Sequence, residues 1–153
     1  MTAAAYHEAG HVAVALHYGF RVTGMSLVMD KEGGCFTYQY DDENDGDEQF
    51  FRHAVVSVAG ALAEIRGWGH HRDQGAGSDY ESIEQLLSQM VNPPPGGFDA
   101  VRDEAERILD EPKVWANVLE LARAIVDPCR EGNIADRHHM NGADILACVG
   151  GAR

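Results

Sequence analysis

Apolar residues recur at helical spacing along most of the chain and predict about six helices. The first runs from about Thr2, as its N-cap, to about His17, with Gly19 as its stop signal. A Ser78-Asp79-Tyr80-Glu81 segment is typical of a capping box at the start of the third helix. The later helices are predicted at residues 51–67, 78–90, 101–109, 112–125 and 145–149.

Two stretches between the first and second helices predict β-strands instead. Residues 22–29 and 35–40 are rich in β-branched and aromatic side chains, and the segment from Asp30 to Gly34 between them resembles a hairpin turn. The triple proline at residues 93–95 predicts a hinge between helices, and no internal repeat occurs. We therefore predict one domain over residues 1–153, mainly α (α+β), with about six helices and a small β-sheet or hairpin.

Composition narrows the class of protein. The chain has 153 residues and a formal charge of -13, which opposes binding to nucleic acid or anionic lipid. No apolar stretch is long enough for a membrane segment, and no signal-peptide pattern is present. Three cysteines at no metal-binding spacing favour a reducing compartment, so a cytoplasmic location is expected. Whether the protein is a homo-oligomer stays open.

Several polar residues are expected to have no role in chemistry. The acidic segment 41–48 partly matches a calcium loop, but its twelfth position is Arg52 and not glutamate, which favours a solvated loop. His70 and His71 could stabilise an oxyanion, although an exposed loop pair is favoured, and His138 and His139 are expected on the surface. We expect Cys35 to be a small packed side chain in a strand.

A His-Glu-x-x-His pattern on the first helix carries the predicted chemistry. His7 and His11 are one helical turn apart, so both rings can face one metal ion. Glu8 would lie beside that metal and could take a proton from a bound water, whose pKa zinc lowers to about 7. A chance match on a helix is the alternative, but the apolar residues around these polar ones favour a metal site.

A catalytic zinc needs a third protein ligand, and spacing does not choose between two candidates. Glu64 lies on the second predicted helix and could either coordinate or accept a hydrogen bond from a histidine ring. Asp79 lies at the start of the third predicted helix and could either coordinate or interact with the helix dipole. Both alternatives stay open on the residues alone.

The order of several segments resembles the peptidase domain of the FtsH family of ATP-dependent zinc proteases. The matching segments are AYHEAGH, VAGALAEI, GAGSDYESI, AERILDE and GADILA. The resemblance implies a zincin-like fold, one zinc per chain, Asp79 as the third ligand, and Glu64 outside the ligand set. FtsH proteins also carry an ATPase module, but no Gly-x-x-x-x-Gly-Lys pattern occurs here. The chain is thus expected to be a stand-alone, ATP-independent relative or an excised fragment.

These features predict a zinc-dependent endopeptidase that cleaves unfolded or extended polypeptides, with Glu8 as general base. The alternative is a protease-derived, metal-binding interaction module without turnover. The strand containing Gly34, Cys35, Phe36 and Thr37 resembles the family's strand beside the cleft, which implies that a polypeptide substrate adds to its edge.

Overall fold

The computed structural model describes residues 2–28, 33–39, 46–69, 77–126 and 137–150. Within these ranges the protein is mainly helical with a small antiparallel sheet, which confirms the predicted fold class at that level. The elements are α1 (Ala3–His17), β1 (Val22–Val28), β2 (Gly33–Tyr38), α2 (Asp47–Trp68), α3 (Gly77–Gln89), α4 (Phe98–Leu109), α5 (Pro112–Val126), β3 (Arg137–Asn141) and α6 (Gly142–Val149).

Helix α1 forms the centre of the fold. Thr2 caps it as predicted, accepting a hydrogen bond from the Ala5 amide at 3.1 Å, and every residue from 3 to 15 is buried. Small side chains let α2 approach closely. A Cβ atom at Gly10 would lie 2.7 Å from the Ala59 carbonyl oxygen, so glycine is needed where the two helices cross. This close approach places the turn of α1 that contains Gly10 and His11 directly against α2.

The sheet has the strand order β2-β1-β3, which places β2 at one edge of the described sheet. Gly33 and Gly34 belong to β2 and pair with β1, so the prediction that they form the turn was wrong. Strand β3 was not predicted, because its sequence is largely polar; among the side chains of β3 that the structure describes, Met140 is the buried one. Residues 29–32, where the rest of the predicted turn falls, lie outside the described residues.

Helix α2 begins at Asp47, four residues before the predicted start, and its acidic first turn suits a helix N-terminus. Its C-cap is Gly69, whose φ of 101° is a left-handed conformation that favours glycine. The Asp47 carboxylate accepts hydrogen bonds from the amides of Val91 and Asn92 at 2.8 and 2.7 Å. These bonds link the start of α2 to the segment that follows α3, and so restrain α3 against α2.

The other helices complete the core with small corrections to the predicted bounds. Helix α3 begins at Gly77, so Ser78 lies inside the helix and is not its predicted cap. Pro112 occupies the first position of α5, as predicted. Helix α6 begins three residues before its predicted start, because Asn141 and Asp144 form a capping box there. No helix in the described part of the chain is both long and apolar enough to cross a membrane.

Candidate metal centre

The two histidines of α1 are buried side by side. His7 is 3% exposed and His11 2% exposed, and their ring centroids are 4.7 Å apart in an edge-on arrangement. Two imidazole rings in an apolar helix lose hydration, so each needs polar partners inside the protein. The structure supplies partners for both nitrogens of each ring.

Asp79 completes the group. Its Oδ2 atom lies 3.0 Å from His7 Nε2 and 3.3 Å from His11 Nε2. One potential ligand atom from each of the three residues lies within 4.8 Å of the others, and this buried group could hold a metal ion. Asp79 reaches the histidines from the first turn of α3, which α2 and the Asp47 link hold near α1.

The opposite nitrogen of each ring is fixed by a residue of α2. His7 Nδ1 lies 3.0 Å from Glu64 Oε2, and His11 Nδ1 donates to the Val56 carbonyl oxygen at 2.7 Å. Such bonds set the orientation of a ligand ring and the nitrogen that it offers to a metal. Both Nε2 atoms are consequently turned toward Asp79.

The two candidates for the third ligand occupy different sides of His7. Glu64 is fully buried at Nδ1, whereas the Asp79 side chain is 22% exposed and contacts the Nε2 atoms of both histidines. A metal ion bound between the two Nε2 atoms would therefore lie next to Asp79. Glu64 would affect the metal only through its hydrogen bond to the His7 ring. This geometry favours the arrangement that the family resemblance implies.

Charge is concentrated in the group. Burial alone would lower the pKa of His7, but the hydrogen bond to Asp79 and the nearby charge of Glu8 outweigh it and raise the pKa. Burial alone would raise the pKa of Asp79, but hydrogen bonds from His11 and His7 hold it well below its usual range. Asp79 is thus a carboxylate that attracts a proton or a cation to the imidazoles.

Glu8 lies beneath the start of β2. It is 6% exposed, and a Cβ atom at Gly34 would lie 2.7 Å from Glu8 Cγ and 2.7 Å from the Ser26 carbonyl oxygen. Only glycine lets the strand pass this close to the carboxylate side chain. Gly34, predicted from the resemblance to bind substrate, therefore forms part of the wall around Glu8.

The other predicted substrate-binding residues alternate between the two faces of β2. The ring of Phe36 stacks on His11, with centroids 4.6 Å apart and planes 13° apart. Thr37 and Cys35 face the opposite side, where Thr37 accepts a hydrogen bond from the Thr23 hydroxyl at 2.8 Å. Cys35 is exposed, with its Sγ 3.1 Å from Ser26 Oγ, so its expected packing in the core was wrong. Because successive side chains point to opposite faces of a strand, Cys35 and Thr37 lie on the face opposite to Phe36.

Two features of the site were not predicted from sequence. Gly60 of α2 packs against the His11 ring, and His53 lies with its Nδ1 atom 2.6 Å from the Tyr38 hydroxyl. A glycine inside a helical pattern can signal a close approach, so Gly60 carried a weak signal. His53 carried none, because nothing in its spacing relates it to β2.

The remaining candidate residues lie apart from the metal centre or outside the described residues. His139 is exposed on β3, as expected for a surface residue. The predicted loop histidines His70 and His71, the acidic residues 41–45 and the side chain of His138 lie outside the described residues.

Comparison with known proteins adds no relative. No protein-family model matches the chain, and no curated protein matches it. The resemblance to FtsH peptidases stays a prediction that rests on the quoted motifs.

Proposed function

We propose that the protein is a zinc-dependent endopeptidase of the FtsH-like zincin type, acting on unfolded or extended polypeptides. The observation that carries the proposal is the convergence of His7, His11 and Asp79, whose potential ligand atoms lie within 4.8 Å of one another. Two imidazoles and one carboxylate make a ligand set that leaves one tetrahedral position for water or substrate.

The chemistry of these donors fits zinc. Imidazole nitrogens suit zinc and other transition metals, whereas calcium and magnesium sites are built from oxygen atoms. Each histidine has a hydrogen-bond acceptor at Nδ1, a carboxylate for His7 and a carbonyl for His11. Catalytic zinc sites use the same arrangement to orient their ligands.

Glu8 supplies the acid-base chemistry in this proposal. When bound, zinc would lower the pKa of a water molecule and polarise the scissile carbonyl. Glu8 follows His7 directly in α1, and its charge is close enough to raise the pKa of that histidine. A carboxylate in this position accepts the proton of the attacking water and returns it to the leaving amine.

Strand β2 provides the surface for the substrate. It lies at the edge of the described sheet, its Phe36 ring covers His11, and its Gly34 lies against Glu8. An extended chain that pairs with this edge would pass both groups, gaining main-chain hydrogen bonds that are independent of side chains. A folded substrate would have to open locally first, which favours unfolded chains.

Metal-dependent digestion of casein, an unfolded substrate, tests the proposal. We expect purified protein to cleave casein, to lose the activity on treatment with a chelator, and to regain it when one equivalent of zinc is added. A chelator-treated sample without added zinc is the control. Zinc binding without cleavage of casein or of a peptide library would instead support the interaction module without turnover.

A further inference from the structure

We infer that a polar cavity beside the metal centre is a specificity pocket for a neutral amide side chain, glutamine or asparagine, of the substrate. The inference rests on the proposed peptidase function and extends it to substrate selection. The cavity has a volume of about 250 Å³ and lies between β2, α2 and α3. That volume can hold one side chain of glutamine size together with water.

The pocket lies near the metal centre because β2, α2 and α3, which surround the two histidines of α1, also form the pocket wall. Each of these three elements contributes at least one residue around the histidines and, within three positions of it, a residue of the pocket wall. The pairs are Phe36 and Tyr38 in β2, Val56 and Ser57 in α2, and Asp79 and Ser82 in α3. Side chains two apart on a strand share a face, and residues three apart on a helix are neighbours. A substrate on the β2 edge would thus reach the pocket near its scissile bond.

The described wall of the pocket is largely polar, with Leu86 as its aliphatic member, and contains no Asp, Glu, Lys or Arg; its imidazole, His53, has its Nδ1 atom 2.6 Å from the Tyr38 hydroxyl. The Ser57 hydroxyl donates to the His53 carbonyl oxygen at 3.1 Å, and the Ser82 hydroxyl donates to the Ser78 carbonyl oxygen at 3.0 Å. Both serine oxygens therefore keep lone pairs that can accept a further hydrogen bond. The side-chain amide of Gln85 in the same wall adds groups of both kinds.

This wall selects by charge and by hydrogen bonding. A lysine or arginine side chain would lose hydration without meeting an opposite charge among the described residues of the wall, and an aspartate or glutamate side chain would bring acceptor oxygens against the acceptor oxygens of the two serines. An aliphatic side chain would displace water from the serine oxygens and leave them without donors. A carboxamide donates to the serine oxygens and accepts from Gln85, so glutamine and asparagine fit best.

Peptide binding to the Glu8→Gln variant tests the pocket without requiring cleavage. The probes are extended peptides of one sequence with glutamine, leucine, lysine or glutamate at each position in turn, measured by fluorescence anisotropy on zinc-loaded protein. We expect one position at which glutamine binds about tenfold or more tighter than leucine, the gain of one or two hydrogen bonds. Equal binding of the four side chains at every position would overturn the inference.

A double variant tests whether the preference for glutamine arises in this pocket. In the Glu8→Gln background, Ser82→Ala with Gln85→Leu makes the wall apolar and should bring the glutamine-to-leucine ratio close to one. Ser88→Ala, an exposed change on α3 outside the pocket wall, is the matched control and should keep the ratio. Zinc content, measured by elemental analysis, should be equal in both. A preference that survives the paired change would overturn the assignment to this cavity.

The same peptides separate this inference from the proposed function. Selective binding to Glu8→Gln without cleavage by the wild-type protein would refute the peptidase and leave the pocket standing. Cleavage by the wild-type protein with no side-chain preference in either binding or kcat/KM would refute the pocket and leave the peptidase standing.

Discussion

Gly60 of α2 lies directly against the imidazole ring of His11. A Cβ atom at position 60 would lie 2.6 Å from His11 Cε1 and would overlap Nε2 as well. One turn earlier on the same helix, the Val56 carbonyl oxygen accepts the hydrogen bond from His11 Nδ1. Helix α2 thus fixes both the position and the tautomer of the His11 ring.

This contact predicts that Gly60→Ala weakens metal binding. The added methyl group would push the His11 ring away from Asp79, and displaced ligand rings typically cost about 10–100-fold in metal affinity. Competition with a chromophoric chelator measures the change in zinc Kd. Gly150→Ala, at a glycine with open space around it, is the matched control and should keep the wild-type Kd. An unchanged Kd in a folded Gly60→Ala protein would mean that this packing does not hold the ligand.

The assignment of the third ligand predicts a graded loss of zinc. Asp79→Ala removes a ligand atom, and zinc affinity should fall further than in Glu64→Gln, which removes only the carboxylate charge behind His7. Elemental analysis after dialysis against limiting zinc compares the variants. Full affinity in Asp79→Ala together with loss of zinc in Glu64→Ala would transfer the ligand role to Glu64.

Burial of Tyr38 predicts a loss of stability at alkaline pH. Burial raises the pKa of this phenol from 10 to about 12, so the folded protein keeps a proton that the unfolded chain releases. The contribution of this neutral, buried phenol to the free energy of unfolding is complete below pH 10 and is lost as the pH rises from 10 to about 12. Urea unfolding of wild type and Tyr38→Phe at pH 8 and pH 11.5 should show a smaller pH-dependent loss in the variant. An equal loss in both would exclude Tyr38 as a source.

The proposed role of β2 predicts a defect in substrate binding without loss of metal. Thr37→Pro removes one backbone donor from the edge strand, which should raise KM for peptides several-fold while zinc content stays at one per chain. Thr37→Val is the control for the lost hydroxyl, which pairs only with Thr23 among the hydrogen bonds of the described residues. Unchanged peptide kinetics in a folded, zinc-loaded proline variant would remove this edge from the mechanism.

Strong periodicity made much of the fold predictable. Thr2 as a cap, the apolar run of α1 and Pro112 at the start of α5 are local signals, and local signals fix helices. Strand β3 was not predicted because its largely polar sequence, in which Met140 is the buried residue among the described side chains, has no recognisable alternation. The start of α6 was missed although Asn141 and Asp144 have capping-box spacing.

Some features of the metal centre could likewise be predicted from the sequence, and others could not. His7 and His11 share a helix, so their convergence follows from spacing alone. The place of Asp79 depends on how α3 packs on α2, through contacts 44 and 45 residues apart such as those of Asp47. No local sequence pattern predicts a contact between residues so far apart in the chain. Gly60 and Val56 act on His11 through the same long-range packing, so Gly60 carried only the weak signal of a glycine inside a helical pattern and Val56 carried none.

Mass spectrometry of new amino termini tests whether the protein cleaves peptide bonds with Glu8 as the base. Casein would be incubated with zinc-loaded wild type and with zinc-loaded Glu8→Gln under the same conditions. We expect internal new termini with wild type and at least about 100-fold slower formation with the variant, since general base catalysis contributes about 100- to 10,000-fold. Equal rates of formation by the two zinc-loaded proteins would contradict a role of Glu8 as the base.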